Sequence, residues 1–193
     1  MLIQMIKKVY LAGPEVFLSN AIEIGKKKKD LCKKYGFEGI FPLDNEINFD
    51  LLRPYETGLK ISQINEELLK KCDLVIANIT PFRGPSADVG TIFEIGFAKG
   101  LGLIIFAYTN TKILFTERTV GFVGIRSNTD FTNLRDHNDM KIEQFGMTDN
   151  LMIDGGIVND KGMIFSGDVP EHELYTSLVV FEECLKYMQL HLI

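Results

Sequence analysis

Residues 73 to 108 read DLVIANITPFRGPSADVGTIFEIGFAKGLGLIIFAY. Two apolar runs without polar alternation, Asp73 to Ile79 and Leu101 to Tyr108, flank a segment of helical period from Asp88 to Lys99 that Gly100 ends. Apolar runs of this kind are strands buried on both faces, and a helix joining two of them makes a parallel β-α-β unit. The same pattern extends to either side. Lys8 to Ala12 (KVYLA) reads as a first strand, Ser19 to Tyr35 as a helix and Gly39 to Phe41 as a second short strand. Residues 43 to 57 read as a loop, after which Ile61, Ile64 and Leu68 recur at helical spacing, and an amphipathic helix is expected over Glu171 to Leu190. The fold class is therefore α/β, with a mostly parallel sheet wrapped by helices. Residues 109 to 146, with their SNTD and RDHND stretches, read as a surface insertion within one domain spanning residues 1–193.

Composition narrows the function classes. A chain of 193 residues, 46% hydrophobic and 24% charged, suffices for one substantial core. The start, MLIQMIKKVYLAGP, lacks the basic, apolar and small-residue regions of a secretory signal, and no apolar run is long enough to span a membrane. A cytoplasmic protein with no membrane partner is expected. Cys32, Cys72 and Cys184 are widely spaced, with three unclustered histidines, so no disulfide framework, metal site or cofactor is expected. At a formal net charge of −5, the basic run Lys26 to Lys29 with Lys33 and Lys34, beside Glu23, Asp30 and Glu38, reads as a solvated helix face. Nucleic acid polymers are not expected partners.

In an open parallel sheet the ligand lies beyond the carboxyl ends of the strands, here the loops starting at Gly13, Pro42 and Thr80. Glu94 is the only acid between Val89 and Gly100, flanked by Ile92, Phe93, Ile95, Phe97 and Ala98. Burial there demands a partner, while the small Gly90 and Thr91 one turn earlier leave space above the carboxylate. The nearby helix N-terminus favours its ionised form, which suits attack on an anomeric carbon; a Glu on a narrow solvated stripe is the alternative. Asp88, six positions earlier, belongs in the first helical turn, either leaning over the site or complementing the helix dipole. Tyr10 lies inside the first strand as a core residue unless its hydroxyl meets a buried acid such as Glu94. Neither glycine-rich phosphate motif occurs, and the loop GPEVF from Gly13 carries an acid where a phosphate would want a base. An uncharged nucleoside fits better than a nucleotide, with Arg83 the one nearby cation.

Four pieces in this order resemble the nucleoside 2-deoxyribosyltransferase family: VYLAGPEVF from Val9, FPLDNE from Phe41, DLVIANITPFRGPSADVGTIFEIG from Asp73, and Asn150-Leu151-Met152. The resemblance implies a flavodoxin-like three-layer sandwich and a ping-pong transfer of 2-deoxyribose between nucleobases through a covalent glycosyl-enzyme. It implies that Glu94 is the nucleophile, Tyr10 its positioning partner and Asp88 a ligand of a sugar hydroxyl. Phe17 would stack on the base, with the Gly13 backbone close to the ligand. Asn150 and Met152 match a segment that enters a neighbouring subunit's site, which implies a homo-oligomer with shared active sites. Where some members place an amide at the end of the second-strand loop and an acid on the following helix, this chain has Glu46 and Asn65. With the pair exchanged, the duty of protonating the departing base falls to Glu46, and Asn65 would orient the base.

Two other enzyme readings use the same fold. An N-glycoside hydrolase of deoxynucleosides or their 5′-monophosphates would favour a basic, glycine-rich first loop, unlike GPEVF. A phosphoribohydrolase shares the pattern Gly90-Thr91-x-x-Glu94 but wants a P-G-G lead-in that is missing. A nucleoside-binding module would need no nucleophile.

Overall fold

Successive residues of a strand face opposite sides of a sheet, so a strand buried on both faces feeds two cores at once. In β1 (Lys7–Ala12) Val9 and Leu11 enter one core while Tyr10 and Ala12 enter the other. In β3 (Leu74–Asn78) Leu74 and Ile76 join the first, and Val75 and Ala77 the second. The computed structural model describes residues 6–44, 53–126, 130 and 132–192. Its sheet is five-stranded, in the order β2-β1-β3-β4-β5, with β2 (Phe37–Ile40), β4 (Ile104–Thr109) and β5 (Met163–Ser166). Every pairing is parallel. This is the doubly wound, flavodoxin-like arrangement, whose chain reverses direction between β1 and β3 and opens a crevice at their carboxyl ends.

The first core lies under α1 (Ala21–Lys34) and α6 (Val179–Leu192); the second lies under α3 (Val89–Gly100), α5 (Leu151–Val158) and the end of α2 (Pro54–Leu69). The two layers are tied separately. Glu182 on α6 accepts from Tyr35 Oη (2.6 Å) and Lys34 Nζ (2.7 Å) at the end of α1. Lys99 on α3 donates to Gly156 O (3.0 Å) on α5.

The structure departs from the sequence reading at several elements. Helix α2 begins inside the expected loop, because Pro54 fits a first helical turn and Arg53 with Glu56 closes a capping box. Strand β5, four residues at the edge with mostly half-buried side chains, carries no long apolar run to announce it. Helix α5 is eight residues and almost wholly apolar, so it lacks amphipathic period. The last helix starts at Val179, not Glu171; residues 171–173 form a separate 3₁₀ turn, and Asn110 Nδ2 takes the Leu174 (2.8 Å) and Ser177 (3.2 Å) carbonyls. Residues 109–146 contain α4 (Phe115–Val123).

The basic run is corrected at one position. Lys26, Lys27, Lys33 and Lys34 are exposed, but Lys28 is wholly buried and its Nζ donates to Glu15 Oε1 at 2.8 Å. Tyr108 Oη (2.7 Å) and Asn78 Nδ2 (3.1 Å) donate to the same oxygen. Glu15 is therefore no ligand-facing acid; it is a buried hub beneath the first loop, its charge balanced by Lys28. Removing one partner of a buried pair leaves the other charge uncompensated, whereas removing both charges is far less damaging. Lys28→Met should destabilise the protein by about 3–5 kcal/mol in urea unfolding. Adding Glu15→Gln, which keeps an acceptor for Tyr108, should recover much of that loss. A single-variant loss below about 1 kcal/mol, as for exposed pairs, would contradict this reading.

Candidate active site

The crevice between β1 and β3 holds a cavity of about 210 Å³ lined by Gly13, Phe17, Pro42, Leu43, Asn65, Asp88, Gly90 and Glu94, among others. A second lobe of about 240 Å³ meets it at Ile61, Asn65, Gly90 and Glu94, and runs between α2 and α3 past Gly58, Ser62, Phe93 and Phe97. Glu94 thus sits at the junction. On α2, positions 58, 61, 62 and 65 fall on one helical face, a spacing legible in the sequence once that helix is drawn back to Pro54.

Tyr10 is fully buried, and its hydroxyl donates to Glu94 Oε1 at 2.5 Å, joining β1 to α3. Both sequence readings of Tyr10 hold together: the ring is core and the hydroxyl meets the acid. Gly90, one turn before Glu94, lines both lobes, and a Cβ there would stand 3.1 Å from Asp88 Oδ2. Asp88 is the N-cap of α3; its Oδ2 accepts from Thr91 N (2.9 Å) and Thr91 Oγ1 (3.1 Å). It also lines the cavity, so capping the helix does not take its carboxylate out of the site.

The expectation that the helix N-terminus keeps Glu94 ionised is corrected. Glu94 is the sixth residue of α3, well beyond the first turn where that field acts. Burial pushes its carboxyl up to about 7, the Tyr10 hydrogen bond pulls it partly back, and the Asp88 charge adds to the rise. Between about 4.5 and about 7 the folded chain holds a proton that the unfolded chain has released, so stability falls as pH rises through this window. Above it the ionised group costs about 3 kcal/mol.

Gly13 allows the first loop to close on its own hub: a Cβ there would lie 2.0 Å from Glu15 Oε2 and 2.9 Å from Asn78 Cβ. Phe17, 55% exposed, lies parallel to Phe82 at 5.3 Å between centroids, and the Arg83 guanidinium covers both rings at 5.1 and 4.7 Å. Tyr175 meets Phe82 edge-on and donates to Pro81 O at 2.6 Å. Sequence reasoning missed this aromatic support, although Phe82 stands in the TPFRG loop. Thr80 turns inward, its hydroxyl bonding Asn78 Oδ1 (2.6 Å), and does not line the cavity.

Asn150 and Met152 lie away from this cavity. Asn150 caps α5 by accepting from Met152 N (3.0 Å) and donates to Glu143 Oε1 (2.6 Å), while Met152 is 73% exposed. Glu46 falls outside the described residues. Among the described residues no cluster of His, Cys, Asp and Glu could hold a metal, and no helix is long and apolar enough to cross a membrane.

A doubly wound sheet with a tyrosine-held carboxylate at its switch point defines a small-ligand site of the α/β kind. The nucleoside 2-deoxyribosyltransferase family model matches residues 9–152, and the chain belongs to that family. An uncharacterised protein of Schizosaccharomyces pombe is 30% identical over 167 residues, 81% of this chain and 79% of that protein. Among solved structures, a 2-deoxyribosyltransferase from Leishmania mexicana shares the fold at TM-score 0.64 and 23% identity, over 97% of this chain and 99% of that one. A conserved protein from Enterococcus faecalis does so at 0.54 and 19%, over 95% and 99%.

If Glu94 must be ionised to react, kcat/KM should rise with pH through about 7, the value for the free protein. Tyr10→Phe removes the bond that lowers this value, so its acid limb should move to higher pH, measured as kcat/KM against pH. A limb that stays fixed or moves down in Tyr10→Phe would contradict the assignment of the limb to Glu94.

Proposed function

We propose that the protein transfers 2-deoxyribose between nucleobases by two displacements at the anomeric carbon. The observation that carries this reading is the Tyr10–Glu94 hydrogen bond at the meeting point of two cavity lobes, which aims one carboxylate at a ligand with two parts. Glu94 attacks C1′, the C1′–N bond breaks, and the base leaves with its electron pair and a proton on a ring nitrogen. A second base, giving its ring N–H proton back to Glu46, then attacks C1′ from the opposite face and frees Glu94, giving net retention. Tyr10 holds the carboxylate in line, and the Asp88 oxygen not engaged by Thr91 binds a sugar hydroxyl. Phe17, which lines the cavity, stacks on the base. Asn65 orients the base, and Glu46 protonates it.

Supporting a homo-oligomer with shared sites, α3 exposes Val89 and α5 exposes Met152, apolar side chains that a second copy would cover. Asn150 and Met152 would then enter the neighbour's cavity. The activity suits cytoplasmic salvage of deoxynucleosides.

Incubation of deoxyadenosine with free hypoxanthine or free thymine, followed by chromatography, should yield adenine and the deoxynucleoside of at least one acceptor. A hydrolase would instead release free deoxyribose whether or not thymine is present, and a binding module would change nothing. Glu94→Ala should abolish exchange with the fold intact by circular dichroism. Mixing it with inactive Asn150→Ala under subunit-exchange conditions should restore part of the activity. A fully active monomer in sedimentation would rule out shared sites.

A further inference from the structure

Residues 109–154 contain a buried charge cluster that touches the cavity only through the chain it holds. Asp149 is fully buried, and its carboxylate accepts from Ser86 Oγ (2.5 Å), Ala87 N (2.9 Å) and Arg118 Nη2 (3.5 Å). Arg118, on α4, donates through Nε to Pro85 O (2.7 Å), through Nη2 to Thr148 O (2.8 Å) and through Nη1 to Ile113 O. Asp154 on α5 accepts from Thr148 N (2.7 Å) and Asp149 N (2.9 Å), fixing the backbone that carries Asp149. Pro85, Ser86 and Ala87 are thus each bonded from this segment, and the next residue is Asp88. Apolar packing would tolerate sliding of this turn, whereas a planar guanidinium and a two-oxygen acceptor fix direction as well as distance. Asp149 Oδ1 also accepts from Asn150 N at 2.8 Å, so one carboxylate anchors both the Asp88 turn and the Asn150 cap.

We propose that Asp149 and Arg118 are positioning residues for the transfer reaction, setting the turn Pro85–Ala87 so that the Asp88 carboxylate stands beside Glu94 and over the sugar. This rests on the roles given above to Glu94 and Asp88. Through Arg118, the segment 109–146 read from the sequence as a surface insertion becomes part of the framework that holds the Pro85–Ala87 turn. The groups that act on the Glu94 carboxyl are Tyr10 from β1 and Asp88 from the α3 cap, while Glu66 from α2 lines the second lobe. Of these, only Asp88 is held by the cluster. A displaced Asp88 therefore takes its charge away from Glu94 and lets the Glu94 carboxyl titrate lower.

The test compares Asp149→Asn, Arg118→Gln, Arg118→Lys and Ser86→Ala in the full chain, with Val180→Ala on the opposite core as a control for lost stability. Two readouts are taken: exchange kinetics, and the Glu94 carboxyl titration by NMR in the free protein. Asp149→Asn should lose about 100-fold in kcat/KM, the scale of a misplacement of about 1 Å, mainly through a raised KM. Ser86→Ala, which removes one bond, should lose about 10-fold, and Arg118→Lys should lie between wild type and Arg118→Gln. In each affected variant Glu94 should titrate below its wild-type value. Val180→Ala should lower the melting temperature and leave KM and the titration unchanged. Unchanged KM and titration in Ser86→Ala and Asp149→Asn would overturn the proposal, as would a Val180→Ala that reproduces their shifts. If Asp149→Asn does not fold, Ser86→Ala and Arg118→Lys decide. A wild type without exchange but with the expected shifts in the Glu94 titration would contradict the reaction and leave the positioning standing.

Discussion

The hydrogen bond from Tyr10 to Glu94 Oε1 joins strand β1 of the sheet to the helix that covers it, and much of the carboxyl edge is arranged around it. A carboxylate at this depth loses hydration that one phenol only partly replaces, so its acidity falls by more than the bond restores. The surrounding residues leave that cost in place and keep the carboxylate accessible. Gly90 keeps space open above the carboxylate, and Asp88 caps the helix from the rim instead of pairing with a cation that would quench the charge. A carboxylate with its charge balanced by Lys or Arg would be more stable and less nucleophilic.

The neighbouring loops are held in a different way. Glu15 gathers Lys28, Tyr108 and Asn78 under the Gly13–Phe17 loop, and Asp149 gathers Ser86, Ala87 and Arg118 under the turn that leads to Asp88. Both hubs are fully buried and both are cation-balanced. Such networks direct hydrogen bonds rather than add much net stability, and they cluster where the backbone must be placed accurately. The site therefore combines two acids without a cation partner in the cavity, Glu94 and Asp88, with two cation-paired acids beneath the loops on either side.

The sheet was legible because β1, β3 and β4 are buried on both faces, and burial on both faces leaves a continuous apolar run in the sequence. Strand β5 and helix α5 were not, since a four-residue edge strand and an eight-residue buried helix lack the length over which a period shows. Glu94 and Tyr10 stood out because an acid in an apolar helix and a phenol in an apolar strand are each costly alone and satisfied together. Asn65 was singled out by the resemblance, and its side of α2 becomes visible only once that helix is drawn back to Pro54. The inward turn of Lys28 is masked in composition by its exposed neighbours Lys26, Lys27, Lys33 and Lys34, and only its spacing of four from Ile24 and Cys32 announces it. The Asp149 hub was hidden for a related reason: Ser86, Arg118 and Asp149 are 32 and 31 residues apart, and only the fold brings them together.

The central claim is that Glu94 forms a covalent bond to the sugar. Incubation with a 2-fluoro-2-deoxyribosyl nucleoside, which slows the second displacement, followed by mass spectrometry of proteolytic peptides, tests it directly. The account predicts a mass increase of one fluorodeoxyribosyl group, less the carboxyl proton it replaces, on the peptide carrying Glu94, reversed when a free base is added. A label on Asp88, or turnover with no labelled peptide at all, would contradict it.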